Sequence, residues 1–388
     1  MVKLRITAFL FAVLTILFVS SVGQYAYASP EVSASSAALM VADTGELLYG
    51  KNEHEQRSMA STTKIMTSLI ALEALTPQRE ITVEADMLNV EGTSMGLLAG
   101  DTVTLEGLVY GMLLQSGNDA ANVTAITLGG SVEIFVSMMN ERAKKIGMSD
   151  THFATPSGLD SNEHYSTAYD MALLGCEAMK NPEFAAICSQ KSAVVCYGNP
   201  PYRRTLTNHN RLLRIYDDAV GIKTGFTKKS GRCLVSAAQR NGITLVAVTL
   251  NAPDDWNDHS QMLEYGFSLV ERRDIDCDIS DVLLNVVGGK RESVPLRLAR
   301  QPSAVVVKGK ETNIKQEIFI KSFEYAPVSD GEIVGRIDFY SGDNLIDSVD
   351  LLADGAVDVK EYQVKQEQPK SKLRRFFEKI RDKIRNWM

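Results

Sequence analysis

The chain has 388 residues, of which 45% are hydrophobic and 23% charged, and it carries a formal net charge of −7 at pH 7. This composition excludes an intrinsically disordered protein, and the length allows two domains with buried cores. The acidic balance argues against nucleic acid as a partner, and the histidine and cysteine spacing indicates neither a metal nor another cofactor.

The N-terminal segment, residues 1–28, has the features of a secretory signal peptide. Two basic residues precede an apolar run from Ile6 to Val19, and Ala26-Tyr27-Ala28 offers the small alternate residues that signal peptidase accepts. We expect the mature chain to begin at Ser29. The alternative is an uncleaved anchor, although the apolar run is shorter than the about 20 residues that span a bilayer. In both cases we expect the body at the outer face of the cytoplasmic membrane, as a peripheral protein.

An exported chain with an odd number of cysteines keeps at least one free thiol. Cys188 and Cys196 are close enough in sequence to close a short disulfide loop. The other interpretation is that the cysteines are free thiols, buried as small apolar side chains.

The first predicted elements surround the pattern Ser61-Thr62-Thr63-Lys64. Apolar runs around a turn signal predict a strand pair, Ala37–Ala42 and Leu47–Tyr49. A helix then begins at this pattern, continues with apolar residues at helical spacing, and ends at Pro77. Because residues three apart share a helix face, the Ser61 hydroxyl and the Lys64 amine are predicted to lie together.

Two further helices are predicted, from Leu105 to Leu114 and from Ala120 to Leu128. The tripeptide Ser116-Gly117-Asn118 lies on the connection between them. A strand from Val220 to Lys223 then leads to Thr224-Gly225 at its end.

The remaining elements of this domain complete a sheet. Cys233–Ala238 and Ile243–Leu250 predict a hairpin with Asn241-Gly242 at its turn, and Trp256–Val270 predicts a closing helix. Strands at both ends of the domain bracket the helices. This order is typical of an α+β fold whose first and last strands share one antiparallel sheet, and we expect the domain to cover residues 29–272.

A small all-β domain is predicted for residues 273–362. Turns containing glycine or aspartate separate short alternating runs, which are Ala304–Val307, Glu317–Ile320, Ile333–Tyr340 and Leu345–Leu351. This part has no cluster of nucleophiles, histidines or paired carboxylates that indicates catalysis, so a spacer or docking role is expected. Residues 363–388 are predicted to consist of a polar linker rich in glutamine and lysine and a C-terminal amphipathic helix that anchors the protein to the membrane.

The three polar motifs together indicate nucleophilic catalysis. A serine hydroxyl needs a base, and Lys64 can accept the Ser61 proton if burial and the positive charge of Lys223 lower its pKa. A serine at a helix N-terminus also presents its backbone N–H to an oxyanion, and the backbone N–H of Phe226 is a second candidate donor.

Other residues of the motifs are candidates for proton transfer and binding. Ser116 can relay a proton between Lys64 and a leaving group, and the amide of Asn118 can bind a peptide carbonyl or orient Lys64. Lys223 and Thr224 supply a cation and a hydroxyl, a pair that suits a substrate carboxylate. The motifs therefore predict acyl transfer at a C-terminal peptide bond.

In this combination the chain resembles a penicillin-binding protein of the D-alanyl-D-alanine carboxypeptidase type, within the serine acyl transferases that include class A β-lactamases. The residues that carry the resemblance are Ser61-Thr62-Thr63-Lys64, Ser116-Gly117-Asn118-Asp119-Ala120 and Gly221-Ile222-Lys223-Thr224-Gly225-Phe226-Thr227, supported by Pro156-Ser157-Gly158-Leu159 and His164-Tyr165-Ser166-Thr167. The order of the predicted domains is similar as well.

The resemblance implies a β-lactamase/transpeptidase-like domain that hydrolyses the terminal D-alanine from the peptide stems of peptidoglycan. It implies that Ser61 forms the acyl-enzyme, that Lys64 is the general base and that Ser116 shuttles the proton. Lys223 would bind the substrate carboxylate, and β-lactam antibiotics would acylate the same serine as inhibitors. Phe226 departs from the pattern, because some members carry histidine at this position.

Three other functions or mechanisms fit the sequence less well. A β-lactamase needs a base for rapid deacylation, and no glutamate motif of the class A type lies between the second and third motifs. A non-catalytic β-lactam-sensing or wall-binding protein has no need of an intact catalytic set, which here consists of Ser61, Lys64, Ser116 and Lys223. A Ser-His-Asp triad through His164 and Asp170 is unnecessary, because the nearby lysine already supplies a base.

The last eighteen residues contain seven basic and two acidic side chains, so the rest of the chain is more acidic than the whole. Basic residues surround one apolar helical face, which consists of Leu373, Phe376, Phe377, Ile380, Ile384 and Trp387. This pattern is typical of a helix that lies in the membrane interface and binds anionic lipid. The alternative is a helix packed on the body of the protein.

Overall fold

The computed structural model describes residues 29–74, 76, 78–310, 313–342, 344–361 and 371–387. The predicted signal peptide, Pro77 and most of the predicted linker lie outside these residues. Tertiary contacts divide the chain into two units. The first unit contains the described residues up to Asp274 together with 303–315 and 340–346, and the second contains the other described residues.

The strands, in chain order, are β1 (Ser36–Val41), β2 (Leu47–Lys51), β3 (Glu80–Thr82), β4 (Thr102–Thr104), β5 (Ser192–Gly198), β6 (Pro201–Thr207), β7 (Ala219–Thr227), β8 (Gly231–Arg240), β9 (Ile243–Leu250), β10 (Val270–Asp274), β11 (Leu283–Val287), β12 (Ser293–Leu298), β13 (Ser303–Val307), β14 (Ile314–Ile320), β15 (Glu324–Tyr325), β16 (Ile333–Ser341) and β17 (Asn344–Ala353). The helices are α1 (Lys64–Glu73), α2 (Leu105–Gln115), α3 (Asn118–Gly129), α4 (Val132–Ile146), α5 (Ala168–Lys180), α6 (Pro182–Cys188), α7 (Leu212–Ile215), α8 (Asp255–Leu269) and α9 (Lys372–Arg385). Short 3₁₀ turns lie at Ala60–Thr63 and Ala85–Leu88.

The main sheet of the first unit has the strand order β2-β1-β9-β8-β7, and all its neighbouring strands are antiparallel. Since β1 pairs with β9, the first and last strands of the domain share one sheet, and the predicted α+β class is confirmed. Both faces of β1 are buried. Ala38 and Met40 belong to an apolar cluster with α1 and α2, whereas Leu39 and Val41 belong to a second cluster with α8. A four-stranded sheet, β3-β4-β5-β6, completes this unit together with the β10-β13 pair.

Three boundaries of the elements that carry the motifs differ from the predictions. Ser61 lies in a 3₁₀ turn, and α1 begins only at Lys64. Asn118 is the first residue of α3 and not part of the connecting loop. Thr224 and Gly225 lie inside β7, because the pairing of β7 with β8 continues to Thr227. The third motif therefore lies along the last strand of the sheet, and its outer edge has no strand partner among the described residues.

The second unit consists largely of strands, as predicted. The sheet order is β14-β16-β17-β12-β11-β15, and alternate apolar side chains such as Leu284 and Val286 are buried. Ala304–Val307 is an exception to the prediction. It lies in β13, which belongs to the first unit. The reason is that β13 pairs with β10, a strand of the first unit, although β13 follows β11 and β12 of the second unit in the chain.

Residues Lys372–Arg385 form the predicted amphipathic helix, α9. None of its residues is buried, its apolar side chains are exposed by 38% at Ile380 to 70% at Leu373, and Trp387, which follows the helix, is 95% exposed. Within the described ranges no single helix combines the length and hydropathy needed to cross a membrane, and only α3 and α4 taken together, bent by 88°, meet those criteria.

Candidate active site

The 3₁₀ turn brings the side chains of Ser61 and Lys64 together. Lys64 Nζ lies 3.0 Å from Ser61 Oγ. The same nitrogen donates hydrogen bonds to Asn118 Oδ1 at 2.7 Å and to the Ser157 carbonyl oxygen at 2.6 Å. These two acceptors hold the amine against the serine hydroxyl.

Burial controls the protonation of Lys64. Its side chain is fully buried, and this desolvation lowers its pKa well below the usual value. The positive charge of Lys223 lowers the pKa further, whereas the carboxylate of Asp119 opposes the change. A lysine with a lowered pKa can be a neutral amine near neutral pH, which is the form that accepts a proton.

Strand β7 and a neighbouring loop enclose the serine turn closely. A Cβ on Gly225 would lie 3.1 Å from the backbone nitrogen of Ser61. On the loop, Gly158 has a φ of +87°, and a Cβ there would lie 1.9 Å from the carbonyl oxygen of Ala60. Glycine at both positions therefore lets two backbone segments approach the turn. The loop residue before Gly158 is Ser157, whose carbonyl binds the lysine.

Ser116 and Asn118 lie on the tight connection between α2 and α3. Ser116 ends α2 in a left-handed conformation, with φ 58° and ψ 31°, and both side chains are buried. Asn118 turns its Oδ1 toward Lys64, so in this structure the amide orients the lysine.

Lys223 lies beneath the surface of the site. It is only 1% exposed, and its Nζ donates to the carbonyl oxygen of Thr224 at 2.8 Å. Burial lowers the pKa of Lys223 to about 7. The positive charge of Lys223 lowers the pKa of Lys64. Direct binding of a substrate by Lys223 stays a prediction.

A cleft of about 330 Å³ opens beside these groups. The predicted site residues that line it are Ser61, Ser116, Thr224 and Phe226. The lining residues that no sequence pattern indicated are Thr93, His209, Arg232, Asp255 and Trp256. The three motifs therefore meet at one cleft, and residues from β8 and α8 complete it.

Arg232 adds a permanent cation to this cleft. It lies opposite Phe226 in the β7-β8 pairing, and its side chain is 43% exposed. Its Nε and Nη2 donate to Asp255 Oδ1 at 3.1 and 2.6 Å, and the guanidinium carbon lies 5.4 Å from the ring centroid of Trp256. The register of the β7-β8 hairpin is the sequence signal that could have placed Arg232 beside Phe226.

His164 has a structural position and forms no triad with Ser61. Its Nδ1 accepts from the Ala154 N–H at 3.0 Å, so the other ring nitrogen can donate to Thr63 Oγ1, 2.8 Å away. Burial lowers the pKa of His164 to about 4, which keeps the ring neutral. Asp170 instead accepts from Asp150 and Thr151, at 2.8 and 2.7 Å.

The described residues include no group of three or more histidine, cysteine, aspartate or glutamate side chains that could hold a metal ion. All the cysteines are free thiols, so the Cys188–Cys196 disulfide considered above is not formed. Cys188 is buried, as the alternative interpretation required, but Cys196 is exposed.

Two family models match the chain. A model described as D-alanyl-D-alanine carboxypeptidase matches residues 24–254, and one described as the C-terminal domain of penicillin-binding protein 5 matches residues 280–359. The first match contains all three motifs. The second lies in the part of the chain predicted to be an all-β domain.

Curated relatives extend over most of the chain. D-alanyl-D-alanine carboxypeptidase DacF of Bacillus subtilis is 33% identical over 316 residues, which cover 78% of this chain and 80% of the relative. D-alanyl-D-alanine carboxypeptidase DacC of Escherichia coli is 34% identical over 329 residues, which cover 80% of this chain and 81% of the relative.

Solved structures show the same fold. The DD-transpeptidase of Streptomyces K15 is 32% identical, with a TM-score of 0.60, and the match covers 62% of this chain and 99% of that one. The D-alanyl-D-alanine carboxypeptidase DacD from Francisella tularensis is 27% identical, with a TM-score of 0.59, over 86% of this chain and 95% of that one.

Proposed function

Because the chain belongs to the D-alanyl-D-alanine carboxypeptidase family, we propose that it is a serine hydrolase that removes the terminal D-alanine from peptidoglycan stem peptides. The observation that carries the proposal is the buried Lys64 amine, 3.0 Å from Ser61 Oγ, at a cleft that also contains Ser116 and Thr224. β-Lactam antibiotics acylate the same serine and act as inhibitors.

Acylation uses Lys64 as the base. The neutral amine takes the proton of Ser61, and Oγ attacks the carbonyl carbon of the penultimate D-alanine. The backbone N–H groups of Ser61 and Phe226 stabilise the oxyanion, which their position on the same cleft supports. The carbon–nitrogen bond breaks as the proton passes from Lys64 through Ser116 to the leaving amine, and an ester on Ser61 remains.

Deacylation uses Lys64 as the base again, now for water. Water gives a proton to Lys64 and attacks the ester carbon, and Ser61 Oγ recovers its proton as the bond to the acyl group breaks. Asn118 and the Ser157 carbonyl keep the amine in place through both steps, since each holds the same nitrogen.

The terminal carboxylate of the substrate binds at the Thr224 end of the cleft. Thr224 offers a hydroxyl, Lys223 a buried positive charge, and Arg232 an exposed one whose orientation Asp255 fixes. Arg232→Gln is expected to raise KM for the peptide by about tenfold, the loss of roughly one charged hydrogen bond, with kcat less affected. An unchanged KM would leave the carboxylate to Lys223 and Thr224 alone.

We also propose that the protein is exported and held at the outer face of the cytoplasmic membrane. The proposal is supported by the signal-peptide pattern of residues 1–28 and by the exposed apolar face of α9, which basic side chains surround.

The central experiment measures D-alanine release from a pentapeptide stem. We expect release by the wild-type protein and a loss of about a thousandfold or more in Ser61→Ala, with no penicillin adduct on that variant. Ser137→Ala, a change of an exposed serine on α4, is the matched control and is expected to behave as wild type. Rapid penicillin hydrolysis with the peptides left intact would instead indicate a β-lactamase, and release by Ser61→Ala would refute the nucleophile assignment.

A further inference from the structure

A short backbone segment lies against the connection between α2 and α3. We call residues 91–97 the strap. The backbone N–H of Asn118 donates to the Thr93 carbonyl at 2.6 Å, and its side-chain Nδ2 donates to the Glu91 carbonyl at 2.7 Å. The strap therefore fixes the amide whose remaining oxygen holds Lys64.

One carboxylate, that of Asp119, binds the opposite end of the strap. It accepts from the backbone N–H of Met95 at 2.9 Å, and from those of Gly96 and Leu97 at 3.1 Å each. It also accepts from the Ser94 hydroxyl at 2.5 Å. Asp119 is 5% exposed, and its bonds to the Met95 and Leu97 N–H groups are buried, where a charged acceptor contributes most.

The carbonyl groups of the strap are held from the β5-β6 side. Tyr197 donates its hydroxyl to the Met95 carbonyl at 2.6 Å, and Arg204 donates to the Gly96 carbonyl at 2.9 Å. The strap also lies very close to Gly117, where a Cβ would be 3.1 Å from the Met95 nitrogen. Both sides of the strap backbone are thus fixed, and a side chain at residue 117 would crowd the strap.

We propose that Asp119 is a positioning residue for acylation, holding the strap so that Asn118 keeps the Lys64 amine against Ser61. This inference rests on the proposed function, because it assumes that Ser61 is the nucleophile. Asp119 does not touch the reacting atoms. It acts through the strap and, because its negative charge raises the pKa of Lys64, through the protonation of the base.

The charge gives the proposal a signature that a merely structural role lacks. The charged groups that act on Lys64 are Lys223 from β7, which lowers its pKa, and Asp119 from α3, which raises it. His164, also nearby, is neutral. Removal of the Asp119 charge therefore lowers the pKa of Lys64 further, and the rise of the acylation rate with pH begins at lower pH.

The test measures acylation of the full-length protein by a labelled penicillin across pH. Asp119→Asn is expected to lower the rate constant by about a hundredfold, the effect of displacing a catalytic group by about 1 Å, and to move the acidic limb to lower pH. Tyr197→Phe removes a neutral strap contact, and we expect a smaller loss with the limb unmoved. Asp338→Asn is the matched control, since this buried carboxylate accepts from Ser348 Oγ and Arg336 Nε and makes no bond to the strap, and it should leave both quantities unchanged.

A wild-type rate in Asp119→Asn, or a reduced rate with an unmoved acidic limb, would overturn the proposal. If Asp119→Asn fails to fold, Tyr197→Phe and Ser94→Ala test the proposal, because each removes one hydrogen bond to the strap. Slower acylation at an unchanged melting temperature supports the proposal, and wild-type rates overturn it. Wild-type protein that is acylated by penicillin but releases no D-alanine would refute the proposed function and leave this inference standing.

Discussion

At the scale of the residue, the site depends on two buried lysines with different tasks. Lys64 must be neutral to accept the Ser61 proton, and Lys223 must be positive to attract a carboxylate. Burial lowers the pKa of both, and the charge of Lys223 lowers the pKa of Lys64 in addition. Because the two motifs lie close together, the charge of Lys223 helps to keep Lys64 neutral for catalysis.

The two lysines predict a bell-shaped dependence of kcat/KM on pH. The rate rises with pH as Lys64 loses its proton, at a pH well below the ordinary lysine range. It falls again as Lys223 loses its proton near pH 7 in the free enzyme. Steady-state kinetics between about pH 5 and pH 10 measure this profile.

Lys223→Arg serves as the control for this prediction, because arginine keeps its charge at every pH used. The basic limb should move to higher pH in this variant, while the acidic limb of Lys64 remains. A basic limb near pH 7 that persists in Lys223→Arg would assign that limb to another group.

At the scale of the element, the serine turn is enclosed by the β7 edge and by the loop around Gly158. A Cβ on Gly158 would clash with the Ala60 carbonyl, and a Cβ on Gly225 would crowd the Ser61 nitrogen. The loop places the Ser157 carbonyl on the Lys64 amine, so backbone geometry, and not a side chain, supplies one of the two groups that hold the base.

Gly158→Ala is expected to destabilise the protein and to slow acylation. The left-handed conformation costs alanine about 1–3 kcal/mol, and the contact of the new Cβ with the Ala60 carbonyl displaces the Ser157 oxygen from Lys64. Thermal unfolding and penicillin acylation measure the two effects.

Gly130→Ala separates the clash from the backbone strain. Gly130 also has a positive φ, +76°, but no atom lies within 4 Å of the position that a Cβ would take there. We expect a smaller loss of stability, from strain alone, with acylation unchanged. Equal acylation rates in the two variants would show that the loop does not position the lysine.

At the scale of the whole molecule, the charge is divided between an acidic body and a basic C-terminal helix. The apolar face of α9 is exposed along its length, and basic residues occupy the other faces. A helix of this kind gains from anionic lipid both by apolar insertion and by charge, and only the second contribution is screened by salt.

Deletion of residues 371–388 is expected to abolish binding to vesicles that contain anionic lipid and to leave hydrolysis of a soluble pentapeptide unchanged. Flotation with vesicles, repeated at high salt, measures the first effect, and D-alanine release measures the second. Binding of the truncated mature protein to the same vesicles would place the lipid contact elsewhere in the chain.

The sequence was sufficient to predict the fold class and the three motifs of the site. Apolar periodicity indicated the sheet and the helices, and the Ser61–Lys64 spacing put hydroxyl and amine together because three residues make nearly one helical turn. The chemistry of serine, lysine and asparagine then limited what the assembled site can do. These conclusions depend on local spacing and residue type, which are properties of the chain itself.

The tertiary structure decided what holds and tunes these groups. Three contacts join segments distant in sequence: the Ser157 carbonyl with Lys64, the strap with Asp119, and Arg232 with Asp255. No local pattern indicates which backbone carbonyl will bind a given amine. The pKa of Lys64 likewise depends on burial and on the position of Lys223, because desolvation and Coulomb interactions depend on distances in the folded protein. The spacing of Ser61 and Lys64 indicated a catalytic pair, and the fold supplies the condition that this pair needs, because it removes water from the amine.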